Sequence, residues 1–281
     1  MLKTLRNAFK VKDIRDRILF IFFMLIVIRI GSQLPVPGVN GDVFRSWFES
    51  QAAGLGFFDA ITGGSFLSMS VFALNITPYI TSSIIMQLLT IAIPALEELQ
   101  KDGEDGRKKI AEITRYLTVG LALFESSAMT YGFWRSGYLL EKNALTVITV
   151  VTALTAGSAV LMWIGERITE KGVGNGISIV LVINIISRIP ADMGALWNQF
   201  IDGKGLLQGV IAAVVILAVI IGMVVFVIVL QGAERRIPVQ YSKKMQGRKQ
   251  VGGQQTHIPL KVNTSGVIPV IFAQSLMQTP V

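Results

Sequence analysis

Few residues in this sequence could make or break a covalent bond. There is a single histidine, His257, in a polar stretch with no other ligand-type residue beside it, and there is no cysteine. Thiolate nucleophiles, disulfides and thiolate metal sites are therefore excluded, and a histidine metal centre is not expected. No Ser–His pair, Asp pair or metal constellation can be assembled, so no enzyme activity, cofactor or metal is expected. Gly172, Gly174 and Gly176 invite a nucleotide-binding reading, but they match neither G-x-G-x-x-G nor a loop ending in G-K-[ST], and no strand precedes them. They read as a tight turn. That leaves Glu125, beside Ser126 and Ser127 in the middle of an apolar run. A carboxylate there is costly unless it faces protein or water, which makes it a functional candidate by default. A protonated, packed Glu bonded to a neighbouring Ser or Thr fits the same residues. Arg29, near the outer end of its own run, can snorkel and is assigned a structural role.

The elements that must position these groups are membrane spans. Of the 281 residues, 52% are hydrophobic and 16% charged, and the mean hydropathy is +0.58, an apolar excess that argues against a soluble globular enzyme. The net charge of +8 could mark a nucleic-acid binder, but on so apolar a chain it more naturally marks loops that fix a membrane topology. A bilayer core about 30 Å thick takes about 20 mostly apolar residues per helix. Six such runs fall at residues 18–34, 76–93, 115–134, 145–164, 177–189 and 206–230, and a seventh, carrying Pro269, starts near residue 267 and reaches Val281. The fifth is short and holds Asn184, so it must tilt, sit among other helices or extend polar at one end. Residues 1–17, with Leu2, Leu5 and Phe9 on one face and Lys3, Arg6 and Lys10 around them, read as an interfacial helix on the membrane surface. A signal peptide would need a small-residue cleavage site after the apolar stretch, which is lacking.

Positively charged short loops stay in the cytoplasm. Most of the 26 Lys and Arg residues fall in the N-terminal arm and in the loops after the second run (Lys101, Arg107, Lys108, Lys109, Arg115), the fourth (Arg167, Lys171) and the sixth (Arg235, Arg236, Lys243, Lys244, Arg248, Lys249, Lys261). The alternate loops carry only Arg45, Arg135, Lys142, Arg188 and Lys204. A multi-pass protein with its N-terminus inside is expected, with residues 231–263 on the cytoplasmic side. That last loop holds three basic pairs, more than topology requires. Its length and charge suggest docking of a large acidic partner such as ribosomal RNA, or of a cytoplasmic motor. Orientation and anionic-lipid contact alone are the simpler alternative.

Two further segments bear on a path through the membrane. Residues 54–69 are too apolar for a free loop and too short and Gly-rich for a span, and they lead into a helix broken by Asn75 and Pro78. Non-helical backbone at membrane depth survives only where protein or a water-filled cavity satisfies it. A re-entrant half-helix near an aqueous path and an external amphipathic helix both fit. Ile76 and Ile80 lie at i and i+4 just past that break, and Ile177 and Leu181 repeat the spacing after the Gly-rich turn. Such pairs could form a hydrophobic constriction that gates by excluding water; lipid-facing or packing residues would show the same spacing.

Taken in order, residues 72–80 (FALNITPYI), 106–109 (GRKK), 161–166 (LMWIGE), 172–178 (GVGNGIS) and 256–263 (THIPLKVN) resemble the SecY family, the channel subunits of the bacterial general secretion translocon. The resemblance runs over residues 29–281. It implies an all-α integral membrane protein, a SecY-type helical bundle of two inverted five-span halves clamped by SecE, with a lateral gate between the halves. This chain would hold spans 1–6 and the start of span 7. Residues 18–190 would form the first half, with a plug at about 55–68. Residues 191–281 would begin the second, with span 6, the 231–263 loop and a truncated span 7.

The resemblance also implies roles for particular residues. Ile76, Ile80, Ile177, Leu181 and Ile271 match the pore ring. Gly56, Phe57, Phe58, Ile61, Gly63, Gly64, Phe66 and Leu67 match the plug. Glu125 would face Thr81 and Thr279 across the lateral gate, an ionisable residue where the family tends to place a polar one. Arg107, Lys108, Arg235, Arg236, Arg248 and Lys249 fall in loops that similar proteins present to the ribosome and to the SecA ATPase. The implied partners are SecE, SecG, SecA, the ribosome through its RNA and exit-site proteins, signal peptides, nascent chains and anionic lipids, in the bacterial cytoplasmic membrane. A signal sequence would enter the gate, widen the ring, displace the plug and let an unfolded chain cross or a span exit to lipid. Nothing in the chain supplies ATP hydrolysis, so the energy must come from a partner. Without spans eight to ten, these residues are not expected to conduct alone. The competing reading is a secondary transporter with broken helices and a small-solute site near Glu125.

Overall fold

The computed structural model describes residues 10–50, 59, 62–203, 205–239, 244–246, 249–251, 256–264 and 266. The chain divides into two compact units, Met1–Ala191 and Asp192–Val281. All six apolar runs are helical. In the first unit these are α1 (Lys12–Gly31), α3 (Thr77–Ala92), α5 (Glu104–Ser136), α6 (Ala144–Lys171) and α7 (Gly176–Phe200), which continues into the second unit. Among the described residues two short helices join them, α2 (Gly41–Ser50) and α4 (Pro94–Lys101). Among the described residues, α6, α7 and the later α8 (Leu206–Gly232) are long and apolar enough to cross a bilayer, and α3 with α4, bent by 102°, qualifies as one broken span.

Helix ends follow local chemistry. Pro78 sits in the first turn of α3, where a missing N–H removes no helical hydrogen bond, and Pro94 opens α4 after Ile93 leaves the helical region. The first apolar run is helical from Lys12, so Arg15 and Arg17 belong to the same helix as the span. The interfacial helix expected over residues 1–17 lies otherwise outside the described residues. Arg17 Nη1 donates to the Gly172 carbonyl at 3.3 Å, tying the start of α1 to the α6–α7 turn. The fifth run, short by sequence, is extended polar at its far end, as α7 runs through Pro190 to Phe200.

Helix α6 is the scaffold of the first unit. It buries Val150, Leu154, Leu161, Ile164 and Ile168 and packs against α1 and α5. Against it α5 lays a stripe of small residues at every fourth position, Thr114, Thr118, Ala122, Ser126 and Thr130, all buried. Apolar side chains gain little by leaving lipid for protein, so small residues that allow close approach, together with hydroxyl bonds, drive such packing. Ser126 Oγ and Thr155 Oγ1 meet at 2.9 Å between the two helices. At their basic end, Arg115 Nε donates to Glu166 Oε1 at 2.7 Å.

The Gly-rich stretch is the tight turn its spacing implied. Asn175 Oδ1 accepts the Ile177 N–H at 3.0 Å and caps α7, and Thr169 Oγ1 accepts the Gly176 N–H at 2.9 Å. Gly176 lies so close to the Gly165 carbonyl that a Cβ would overlap it, which lets α7 leave α6 at a backbone-to-backbone crossing.

In the second unit α8 is followed by two antiparallel strand pairs, β1 (Glu234–Val239) with β4 (Thr256–Lys261) and β2 (Lys244–Gln246) with β3 (Lys249–Val251). The amino-acid pattern implies a structured polar loop there but does not reveal the strands. Pro238 and Pro259 argue against a central strand, but a two-stranded ribbon is all edge, where proline is tolerated. Pro238 stands opposite His257, and Pro259 opposite Arg236.

A methyl group at Gly176 tests the crossing. Gly176→Ala should destabilise the protein by about 1–3 kcal/mol, as overpacking does, lowering the unfolding temperature in detergent. Gly120→Ala, with open space around its Cβ position, should leave it unchanged or raise it.

Candidate functional site

The aliphatic residues singled out by spacing come together. Ile76 is fully buried in a cluster with Met24, Ile28, Phe72, Leu161, Ile164, Ile168 and Val180, and Ile80, Ile177 and Leu181 pack on the same cluster, half-buried. Two irregular entries bring them there. Ile76 is the last residue before α3 and accepts the Ile80 N–H at 3.1 Å, while Ile177 is in the first turn of α7. Gly165 on α6 is where they meet: a Cβ there would lie 2.6 Å from Ile177 Cδ1 and 3.5 Å from Ile76 Cδ1. Ile271 lies outside the described residues.

The segment leading into this cluster, Thr62 to Ile76, is a run of turns. Its backbone bonds are found inside the protein. Val36 N–H donates to the Met69 carbonyl at 2.8 Å, Val71 N–H to the Leu34 carbonyl at 2.9 Å, and Ser70 N–H to the Ser65 carbonyl at 3.0 Å. Met69 and Asn75 hold positive φ, 43° and 53°, an unusual conformation for residues other than glycine. Among the expected plug residues, Gly63, Gly64, Phe66 and Leu67 are described, whereas Gly56, Phe57, Phe58 and Ile61 are not. Phe66 packs edge-on against Phe44 of α2 at 5.5 Å between ring centroids and against Phe48 at 5.9 Å.

A set of polar contacts that sequence reasoning missed holds this segment to α7. Asn184 Nδ2 donates to Asn75 Oδ1 at 3.0 Å, with both residues buried. Gly63 stands against the Asn184 carbonyl so closely that a Cβ would come within 2.5 Å of it, and its φ of +67° also favours glycine. Asp59, with no exposed surface, forms an ion pair with Arg188, while its Oδ1 accepts the Leu67 N–H at 3.0 Å. Arg29, assigned a structural role, donates from Nη1 to Ser187 Oγ at 2.8 Å. Asn184, Ser187 and Arg188 fall at i, i+3 and i+4, one face of a helix. Polar residues at helical spacing in an apolar run were the available signal.

Of the expected gate residues, Thr81 is on α3 and Glu125 on the adjacent α5, and Thr279 lies outside the described residues. The hydroxyls beside Glu125 are engaged elsewhere: Ser126 with Thr155, and Ser127 donating to the Leu123 carbonyl at 2.6 Å. Arg107 and Lys108 are exposed in the first turns of α5, Lys108 3.6 Å from Asp105. Arg235 and Arg236 are exposed on β1, where neighbouring side chains alternate between faces. The register puts Arg236 on the face with Glu234, His257 and Lys261, and Arg235 on the face with Ile237, Ile258 and Leu260. Lys249 is in β3, and Arg248 is outside the described residues. Among the described residues, no group of three or more His, Asp and Glu comes together as a metal site.

A family model described as SecY matches residues 70–281. The protein translocase subunit SecY of Halalkalibacterium halodurans is 44% identical over 285 residues, covering 100% of this chain and 66% of that protein. Those of Bacillus subtilis and Thermotoga maritima are 44% and 41% identical, again over 100% of this chain and 66% of theirs. The chain thus spans 66% of the length of these curated relatives. Its fold is similar to that in "The structure of a protein conducting channel", with a TM-score of 0.62 and 19% identity over 95% of this chain and 57% of that one. Sec61 in a canine ribosome–channel complex from the endoplasmic reticulum gives the same values. The small-solute transporter reading finds no support in these relatives. With a family model over most of its length and translocase subunits aligned from end to end, the chain belongs to the SecY family.

Proposed function

We propose that the full-length protein is the protein-conducting channel subunit of a bacterial Sec translocon, passing unfolded polypeptides across the cytoplasmic membrane and releasing apolar segments sideways into it. The observation that carries this reading is that Ile76, Ile80, Ile177 and Leu181 pack on one aliphatic cluster, with Ile76 and Ile177 meeting at Gly165, at the irregular starts of α3 and α7. Branched aliphatic side chains around a path exclude water and ions without offering a hydrogen bond that would hold a passing chain. Ile271 and residues beyond this chain would complete the ring. The turn segment that enters α3, with the preceding residues from Gly56, would be the plug. Thr81, Glu125 and Thr279 would line the lateral gate through which a signal sequence enters.

The proposed orientation has the N-terminus and the basic loops in the cytoplasm, following the bias of Lys and Arg. Arg107, Lys108 and the strand ribbon of Arg235 and Arg236 would receive the ribosome or the SecA ATPase, and Lys249 and Arg248 would add to that surface. A Sec61 relative stands in a ribosome–channel complex, and an exposed basic ribbon suits ribosomal RNA. SecE and SecG would be the other subunits, with anionic lipids at the rim. The channel itself is passive, and chemical energy enters through the partner.

Deleting residues 56–67 in the full-length protein should raise ion leakage across vesicles that contain it; unchanged conductance would remove the plug assignment. Cys introduced at Ile80 or Ile177 should crosslink to an arrested translocating chain, and failure at both positions would remove these residues from the path. Reversing the charge of Arg235, Arg236, Arg248 and Lys249 should weaken binding to ribosomes or SecA. The log–log salt slope for ribosomes should fall by roughly one for each phosphate that is no longer neutralised. Undiminished affinity would exclude this loop as the docking surface.

A further inference from the structure

Asp59 has no exposed surface, and its carboxylate is shared between the two things that a movable segment must be attached to. One oxygen accepts the Leu67 N–H and closes the turn on itself; the other meets the guanidinium of Arg188 on α7. A helical turn away on α7, the Asn184 carbonyl is in contact with the Gly63 backbone, and Asn184 also holds Asn75 at the far end of the segment. The segment is thereby fixed to one face of one helix at its start, middle and end. Of these attachments, only the Asp59–Arg188 pair joins opposite charges.

The strength of that attachment depends on water. At separations typical of an ion pair, Coulomb attraction in a water-poor interior exceeds that in bulk water several-fold, and removing one partner leaves a buried charge without compensation. Once hydrated, the same pair contributes little. We infer that the Asp59–Arg188 ion pair is a water-released latch that holds the plug segment on α7. It resists displacement while the site is dry and gives way once a widening channel admits water. Opening would then be switch-like, because the first waters to enter weaken the contact that kept them out. This inference rests on the plug assignment proposed above.

The test uses the full-length protein in its assembled complex, in vesicles loaded with chloride. Arg188→Gln should raise the resting chloride leak at least about tenfold, equivalent to about 1.4 kcal/mol, because it leaves the fully buried Asp59 carboxylate without its counter-charge. Asp59→Asn with Arg188→Gln leaves no uncompensated carboxylate and keeps an Oδ1 for the Leu67 N–H, so it controls for misfolding. It should bring the resting leak back toward the parent level while slowing transport of a secretory precursor, since a neutral contact is weakened less by water than an ion pair is. The latch is overturned if Arg188→Gln leaks no more than the parent while deletion of residues 56–67 does leak. It is also overturned if the double variant transports at the parental rate. If the deletion itself does not leak, the plug assignment fails first.

Discussion

Backbone that is not helical has to find every hydrogen-bond partner within the protein when it lies at membrane depth, because no water is there to replace one. On the plug assignment proposed above, the turns between Thr62 and Ile76 impose that requirement on everything around them. Residues 34–36 run alongside to bond Met69 and Val71, Ser65 and Ser70 bond each other, and Asp59 reaches Leu67. The positive φ of Met69 and Asn75 is tolerated because these surroundings fix it. Asn75 takes its partner from α7, which explains why a span carries Asn184 at all.

Two clusters meet along this segment, and they differ in kind. Around Phe44, Phe48, Phe66, Phe133 and Tyr138 the contacts are between aromatic edges and faces, geometries that fix orientation as well as area. Around Ile76, Ile164, Ile168 and Val180 they are aliphatic, without any preferred direction. The first suits anchoring a loop in one position. The second suits a contact that must part and close again around differing side chains without leaving a polar group unpaired. Helix α6 underlies both, since Val150 and Leu154 belong to the first cluster and Leu161, Ile164 and Ile168 to the second.

Much of this was legible because a membrane enforces a coarse code. Each of the first six apolar runs became a helix, since a span has no other way to satisfy its backbone, and the Gly172–Gly176 spacing gave a turn because no strand stood before it. The aliphatic pairs were visible from spacing, but not that they pack on one cluster, with Ile76 and Ile177 meeting at Gly165. What escaped was pairing across long sequence distances. Nothing in the runs of α1 and α7 says that Arg29 meets Ser187, and nothing near Asp59 points to Arg188. The small-residue stripe from Thr114 to Thr130 could have been read from its period of four, but its partner Thr155 could not. The strands were hidden by Pro238 and Pro259, which count against a sheet interior and not against a ribbon. Ile271, Thr279 and Gly56 to Phe58 lie outside the described residues.

The aliphatic contacts and the anchors of the turn segment are also mechanically one object. Ile177, Leu181, Asn184 and Arg188 follow one another at intervals of four, three and four, so they form a single stripe along α7. The first two pack in the aliphatic cluster, and the last two hold the turn segment. A rigid helix cannot move one end of such a stripe while leaving the other in place. Any displacement of α7 that parts Ile177 from Ile76 therefore carries Asn184 and Arg188 with it, pulling on Asn75, Gly63 and Asp59 together. In the reverse direction, a segment seated on Asn184 and Arg188 holds α7 where Ile177 meets Gly165. The proposed ring and plug would thus open or close as a pair because the same helix carries the contacts of both, with no signal needing to pass between them.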